Sequence, residues 1–174
     1  MEEVHNHVLT ERHFALFGAI LQCFARYELT IEHAIAGVLQ TDTSSIVILM
    51  RHLDFMGKRL ALLDLLLRDR SIPGDQWERI FAYLAVPSCH VGLRNHIAHS
   101  TWMASPEPKS IQPSWILRWR PHIEPTRLGP KQEESSYTFE ALGEIAANLA
   151  NSHEQFRAYL TEAGLIRMET QTRA

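Results

Sequence analysis

Apolar residues recur every three or four positions along the first 70 residues, a spacing that places them on one face of a helix. The first such stripe predicts a long helix over residues 10–39, with Thr10 as its N-cap and Glu11 in its first turn. The inward positions of this helix are Phe17, Ile20, Phe24, Tyr27, Ile31, Ala34 and Val38.

A second stripe with the same spacing predicts another long helix, which the Ser-Ile-Pro-Gly segment at residues 71–74 ends. Because only a short connector separates the two helices, we expect them to pair antiparallel. The inward positions of the second helix are Ile46, Leu49, Leu53, Met56, Leu60, Leu63 and Leu67.

Two further helical regions follow. One begins near Asp75, and Pro87 predicts a kink or short break in it because proline has no N–H to donate, so that a second helical piece covers residues 88–99. The last helix is predicted from Thr138, which can act as an N-cap, to about Ala163, before Gly164. The inward positions are Trp77, Ile80, Phe81 and Leu84 in the first region, and Leu142, Ile145, Leu149, Phe156 and Tyr159 in the last.

The segment between these helical regions has a different composition. Six of the eight prolines lie in residues 105–136, so a helix cannot persist there, and the alternation in residues 115–120 favours a short strand or hairpin. The sequence therefore predicts an all-α antiparallel helical bundle with a short β insertion. We expect one domain over residues 1–174, with its core at about 10–163 and its irregular or β insertion at about 105–136.

Composition and charge narrow the class of protein. Cys23 and Cys89 show no C-x-x-C or metal-type spacing, which indicates reduced thiols. The acidic N-terminus lacks the pattern of a signal or transit peptide, and we expect a cytoplasmic protein that does not enter a membrane. Residues 94–131 hold six Lys and Arg against two Asp and Glu, which favours an anionic partner.

The chemically richest segment is GLRNHIAHSTW, residues 92–102, on the second helical piece. Successive helical residues are about 100° apart, so Asn95 and His99 share a face, Arg94 lies beside that face, and His96 projects to another side. A guanidinium offers a fork of donors to phosphate oxygens, and an imidazole moves protons near neutral pH. Arg94, Asn95 and His99 are therefore the candidate catalytic residues.

The Arg94-Asn95-x-x-x-His99 pattern within a helical domain resembles the HEPN superfamily and its R-x(4–6)-H ribonuclease motif. This resemblance implies a HEPN-like homodimeric endoribonuclease that needs neither a metal nor a cofactor, as in toxins, phage-defence proteins and CRISPR-associated effectors. It implies that RNA is the substrate and that an antitoxin or regulatory protein is a possible partner. His99 would act as acid or base, Arg94 would hold the phosphate, and Asn95 would orient His99 or the phosphate. Position 97 is Ile, whereas one toxin branch has a Tyr there.

Two alternatives stay open for these residues. One is a structural cluster, in which Arg94 pairs with Glu144 or Asp54 and the His99 cation suits the C-terminus of its helix. The other is a non-catalytic HEPN-like helical module that binds a protein partner or a nucleotide through the same groove. In either case the motif would not cut RNA.

Four other residues are candidates for substrate binding, and each also has a plainer interpretation. His96 can be a surface residue, and Ser100 can serve helix-end hydrogen bonding. Arg118 and Arg120 can grip phosphates, with Trp115 and Trp119 either stacking on bases or covering the bundle. We expect no metal site, because His90, His96 and His99 lack companions at ligand spacing.

Overall fold

The computed structural model describes residues 9–53, 56–107, 109–114 and 136–166. Within these ranges the chain is mostly helical, with a three-stranded sheet between the motif helix α5 and the last long helix α6, so the predicted fold class is confirmed. The elements in chain order are α1 (Glu11–Leu39), α2 (Thr43–Met50), α3 (Met56–Asp69), α4 (Gly74–Cys89), α5 (Val91–His99), β1 (Thr101–Ala104), β2 (Ser110–Ser114), β3 (Tyr137–Thr138) and α6 (Phe139–Glu162).

The chain divides into two compact units. One unit contains the described residues of 1–21 and 90–147, and the other contains those of 22–89 and 148–174. We call them the motif unit and the second unit. Helices α1 and α6 contribute residues to both. The single-domain organisation stays a prediction.

Helix α1 follows its apolar stripe closely. All seven predicted inward residues are buried, and the helix begins one residue after Thr10, as predicted. It ends where Gln40 adopts a positive φ of 54° and the Thr41 N–H donates to the Ala36 carbonyl. Among the described helices, α1 alone has the length and hydropathy of a membrane span, and a buried core helix has the same properties.

The predicted second long helix is wrong as a single element, because it is two helices, α2 and α3. After Met50 the backbone hydrogen bonds change from the α-helical to the 3₁₀ pattern, because the N–H groups of His52 and Leu53 donate to carbonyls three residues earlier. The Leu53 carbonyl then accepts a 3.0 Å hydrogen bond from Nε of Arg59. A side chain therefore satisfies a carbonyl that the backbone would satisfy in a continuous helix.

The predicted break at Pro87 is misplaced. Helix α4 continues through Pro87 to Cys89, and the interruption falls at His90. The Ser88 hydroxyl donates a 2.7 Å hydrogen bond to the Leu84 carbonyl, one turn earlier in the same helix. Two residues of α4 thus follow the proline before α5 begins.

In the second unit, side-chain contacts fix the direction in which α6 runs against its neighbours. Tyr27 of α1 stacks on Phe156 of α6 with ring centroids 5.9 Å apart. Gly37, further along α1, lies against the backbone of Leu165, just beyond the C-terminal end of α6, so α1 and α6 run parallel. Tyr83 of α4 lies 6.1 Å from Phe156, and Arg79 lies over the Tyr159 ring, so α4 and α6 run antiparallel.

Helix α6 has the predicted ends. Thr138 Oγ1 accepts a 3.1 Å hydrogen bond from the Ala141 N–H and caps the N-terminus. At the other end Gly164 has a φ of 69°, and the Leu165 N–H donates to the Leu160 carbonyl. The buried stripe differs from the predicted one, because it passes through Ala146 and Leu160, whereas Ile145 and Tyr159 are only half-buried.

The motif unit contains the sheet, whose strand order is β1-β2-β3 with both pairs antiparallel. Trp102 lies opposite Pro113 and Ala104 opposite Ile111, while β3 pairs only with Ser110 and Ile111. The β structure begins at Thr101, ahead of the predicted residue 105, because Thr101 and Trp102 suit a pleated strand. The strand predicted over residues 115–120 lies outside the described residues.

Candidate functional site

The motif lies on α5, a nine-residue helix in the motif unit. The helix begins where the Arg94 N–H donates to the His90 carbonyl, and it ends where the Ser100 N–H donates to the His96 carbonyl at 2.9 Å. Leu93 is buried and anchors one side of the helix. That anchored side determines which motif residues face the solvent.

Asn95 and His99 are both exposed, on the side of α5 away from Leu93. Arg94 is half-buried, and its Nη1 donates a 3.2 Å hydrogen bond to Oδ1 of Asn95. This bond draws the guanidinium round the helix toward the face that Asn95 shares with His99. Arg94 and Asn95 are therefore joined in the middle of α5, and His99 is exposed at its C-terminal end, one turn after Asn95.

The structural alternative for Arg94 was an ion pair with a carboxylate. Among the described residues Arg94 makes no such pair, and Glu144 is exposed in the same unit without contacting it. Asp54, the other proposed partner, lies outside the described residues. Since a guanidinium has five N–H donors and Asn95 accepts from one, Arg94 keeps donors for a ligand.

The candidate substrate-binding residues differ in their environments. His96 is half-buried and already interacts within the protein, whereas Ser100 is half-buried at the end of α5 and lines the pocket described below. Arg118 and Arg120 lie outside the described residues.

His90 directly precedes α5 and is half-buried. Burial lowers the pKa of its imidazole, because a low-dielectric environment disfavours the charged form. His90 occupies the N-cap position without making a side-chain capping bond. Its carbonyl, which accepts from Arg94, is therefore its contribution to the motif helix.

A pocket of about 550 Å³ opens in the motif unit at the C-terminal end of α5. The rings of Phe17 and Trp102 lie 4.7 Å apart at its wall, and Phe14 is 59% exposed at its edge. The lining comes from Leu9 before α1, from one face of α1 and from the end of the motif. The residues on α1 are Phe14, Phe17, Gly18 and Leu21, and those of the motif are Ile97, Ser100, Thr101 and Trp102. We call it the aromatic pocket.

Sequence reasoning missed the aromatic pocket. It assigned Phe17 to the buried stripe of α1 and gave no role to Phe14 or Trp102. The signal available was Phe14, a large apolar residue outside that stripe and four positions before Gly18. Because the other wall comes from residues some 80 positions away in the chain, α1 alone could not reveal a pocket.

Metal ligands do not converge in the part of the chain that the structure describes. No three His, Cys, Asp or Glu side chains there are close enough together to hold an ion. The motif on α5 carries a guanidinium, an amide and an imidazole, a set that suits an anionic ligand.

No family model, curated protein or solved structure matches this chain. The chemistry open to the site therefore follows from its own side chains and their geometry.

Proposed function

We propose that this chain is a HEPN-like endoribonuclease that acts without a metal ion, as a homodimer, in a toxin or phage-defence setting in the cytoplasm. The observation that carries the proposal is the hydrogen bond from Arg94 Nη1 to Asn95 Oδ1, beside an exposed His99. It turns the phosphate-binding group toward Asn95, which lies one turn before the proton-transfer group on the same helix.

The proposed reaction is the attack of a ribose 2′-hydroxyl on the adjacent phosphate. The 2′-oxygen to phosphorus bond forms and the bond from phosphorus to the 5′-oxygen breaks, which leaves a 2′,3′-cyclic phosphate and a 5′-hydroxyl. His99 takes the 2′-hydroxyl proton or supplies the proton that the leaving oxygen needs. Arg94 binds the phosphate oxygens as negative charge develops on them, and Asn95 holds the guanidinium in place.

One imidazole serves one of these proton transfers at a time. His96 is half-buried and already has an interaction partner, which makes it a poor second catalytic group. We therefore expect a second copy of the chain to supply the other His99 across a two-fold axis. An antitoxin or other regulatory protein that covers the motif on α5 would inhibit the enzyme.

The test is cleavage of a labelled RNA by the purified protein in the presence of EDTA. His99→Ala is expected to lose at least about 100-fold in rate, in line with the loss of general acid–base catalysis. His52→Ala is the matched control, because His52 is an exposed histidine in the second unit. Cleavage by His99→Ala at the wild-type rate would remove His99 from the mechanism.

Substrate chemistry gives an independent check. RNA with 2′-O-methyl groups has no 2′-hydroxyl to attack the phosphate, and it is expected to resist cleavage. The products of normal RNA should carry a 2′,3′-cyclic phosphate. Products that end in a 5′-phosphate would contradict the proposed reaction.

A second candidate function is a non-catalytic module that binds a nucleotide or a protein partner. The aromatic pocket favours it, because a pocket of about 550 Å³ with an exposed aromatic edge can bind a ligand without any chemistry. This alternative predicts that Arg94→Ala weakens binding, that His99→Ala changes little, and that no RNA is cut.

A further inference from the structure

The aromatic pocket has features of a ligand site that folding alone does not require. Phe14 lies outside the buried apolar stripe of its helix and is 59% exposed. Its ring lies 6.4 Å from that of Phe17 in an edge-to-face arrangement, and Phe17 in turn packs on Trp102. Three aromatic rings therefore line one side of a pocket that is open to solvent.

The other residues of the pocket leave space for a ligand and provide polar groups. One turn after Phe14 stands Gly18, where a Cβ would meet no atom within 4 Å, so no side chain fills this part of the pocket. Ser100 and Thr101 contribute the hydroxyl groups of the lining. Aromatic surface with a few hydroxyls suits a flat ring whose edge carries polar atoms.

The aromatic pocket and the motif differ in the charge of their side chains. None of the residues that line the aromatic pocket is ionisable, so the pocket suits an uncharged group. Arg94 and His99 are cationic or can become so, and they suit a phosphate. Ser100 follows His99 directly and lies in the pocket wall, so the pocket adjoins the His99 end of the motif.

We propose that the aromatic pocket binds a nucleobase of the substrate RNA, next to the phosphate held by Arg94. The base stacks against the Phe14 ring, and the hydroxyls of Ser100 and Thr101 are positioned to meet its polar edge. The inference rests on the proposed function, because it assigns a base-binding subsite to the same enzyme. It makes cleavage dependent on the base as well as on the backbone.

The test uses the full chain and two fluorescent probes that cannot be cut. One is a six-nucleotide RNA with 2′-O-methyl groups on every ribose, and the other is the same backbone without bases. Wild type is expected to bind the probe with bases about tenfold more tightly, since stacking one base on an aromatic side chain has that order of effect. Fluorescence anisotropy measures both affinities.

Two variants remove the pocket in opposite ways. Phe14→Ala deletes the stacking surface, whereas Gly18→Leu fills the space, and Gly18→Leu also favours the helix. Both are expected to bind the two probes with equal affinity and to leave the affinity for the base-free backbone at the wild-type value. Leu65→Ala is the matched control, because Leu65 is an equally exposed apolar residue on α3 of the second unit.

Arg94→Ala separates this inference from the proposed function. It is expected to weaken binding of both probes by the same factor, because it removes a phosphate contact and no base contact. Failure of wild type to cut normal RNA, with the base preference intact, would overturn the enzyme and leave the subsite standing.

Two results would overturn the subsite itself. One is a wild-type protein that binds both probes equally. The other is a base preference that survives Phe14→Ala and Gly18→Leu. If sedimentation also shows that these variants dissociate a dimer, the pocket is a contact between two copies of the chain.

Discussion

The Thr30 hydroxyl shares a 3.0 Å hydrogen bond with Nε2 of His153, and both residues are buried. Tyr27 packs edge-on against the same imidazole at 5.1 Å. Burial is the largest cause that lowers the pKa of His153, and the charge of Arg26 lowers it too. Glu154, whose Oε1 lies 3.6 Å from Nδ1, and the backbone of Arg26 raise this pKa without reversing the shift. His153 is therefore a neutral core residue of the second unit.

Stability is expected to fall as the pH drops below the unfolded-state pKa of histidine, about 6.5. The unfolded chain binds a proton that the folded His153 resists, so the free energy of unfolding decreases with falling pH until the folded group also titrates. His153→Gln should weaken this dependence between pH 7 and pH 5 in thermal melts. The exposed His52→Gln should keep the wild-type slope. Parallel slopes for His153→Gln and wild type would contradict the assignment.

The close approach of Gly37 to Leu165 predicts a strong effect of one methyl group. A Cβ at Gly37 would overlap the Leu165 carbonyl oxygen, so Gly37→Ala must shift the backbone, at a cost of about 3 kcal/mol or more. Gly143→Ala is the matched control in α6, where a Cβ meets nothing within 4 Å. That variant should gain about 0.5–1 kcal/mol from reduced chain entropy. Urea unfolding measures both, and a neutral Gly37→Ala would show that the contact relaxes freely.

Arg59 is expected to hold the break between α2 and α3. Its Nη1 lies 2.7 Å from Glu32 and 3.4 Å from Glu28, and its Nε donates to the Leu53 carbonyl. Arg59→Ala should cost about 2 kcal/mol, because it leaves two carboxylates together and a carbonyl without its donor.

The control for this prediction is Arg68→Ala. Arg68 pairs with Asp64 one turn away and is 63% exposed, so the loss should stay below about 0.5 kcal/mol. Equal losses in the two variants would mean that the Arg59 cluster is no stronger than a surface pair.

The two cysteines should react with a thiol reagent at different rates. Cys23 is buried, and burial raises the pKa of its thiol, so little thiolate forms at neutral pH, whereas Cys89 is exposed. A colorimetric thiol reagent should titrate one group in the folded protein and two in denaturant. Cys89→Ser should abolish the fast reaction, and its persistence in that variant would contradict the burial of Cys23.

Arg94 and Asn95 should matter for activity far more than for stability. Their hydrogen bond is solvent-exposed, so Arg94→Ala and Asn95→Ala should change the free energy of unfolding by no more than about 0.5 kcal/mol. Loss of the phosphate-binding donor should nevertheless lower RNA cleavage by about 100-fold in Arg94→Ala. A large fall in the melting temperature of Arg94→Ala would instead indicate a structural role.

The sequence by itself determined α1 and α6 with their ends, but not the division of the predicted second helix into α2 and α3. The seven-residue apolar stripe of α1 and the N-cap of α6 at Thr138 depend only on residues close in sequence. The structure has both. Arg94, Asn95 and His99 were also set on one helix by spacing alone. Their catalytic role stays a prediction.

Tertiary structure decided what local spacing could not. After the break at Met50 the Leu53 carbonyl accepts from the Arg59 side chain, and the buried His153 bonds to Thr30, 123 residues away. A polar residue in an apolar stripe is expected to be exposed. Its burial cannot be predicted until the distant residue that forms its hydrogen bond is known. The aromatic pocket likewise joins α1 to the end of α5, and no periodicity within either segment can encode the contact between them.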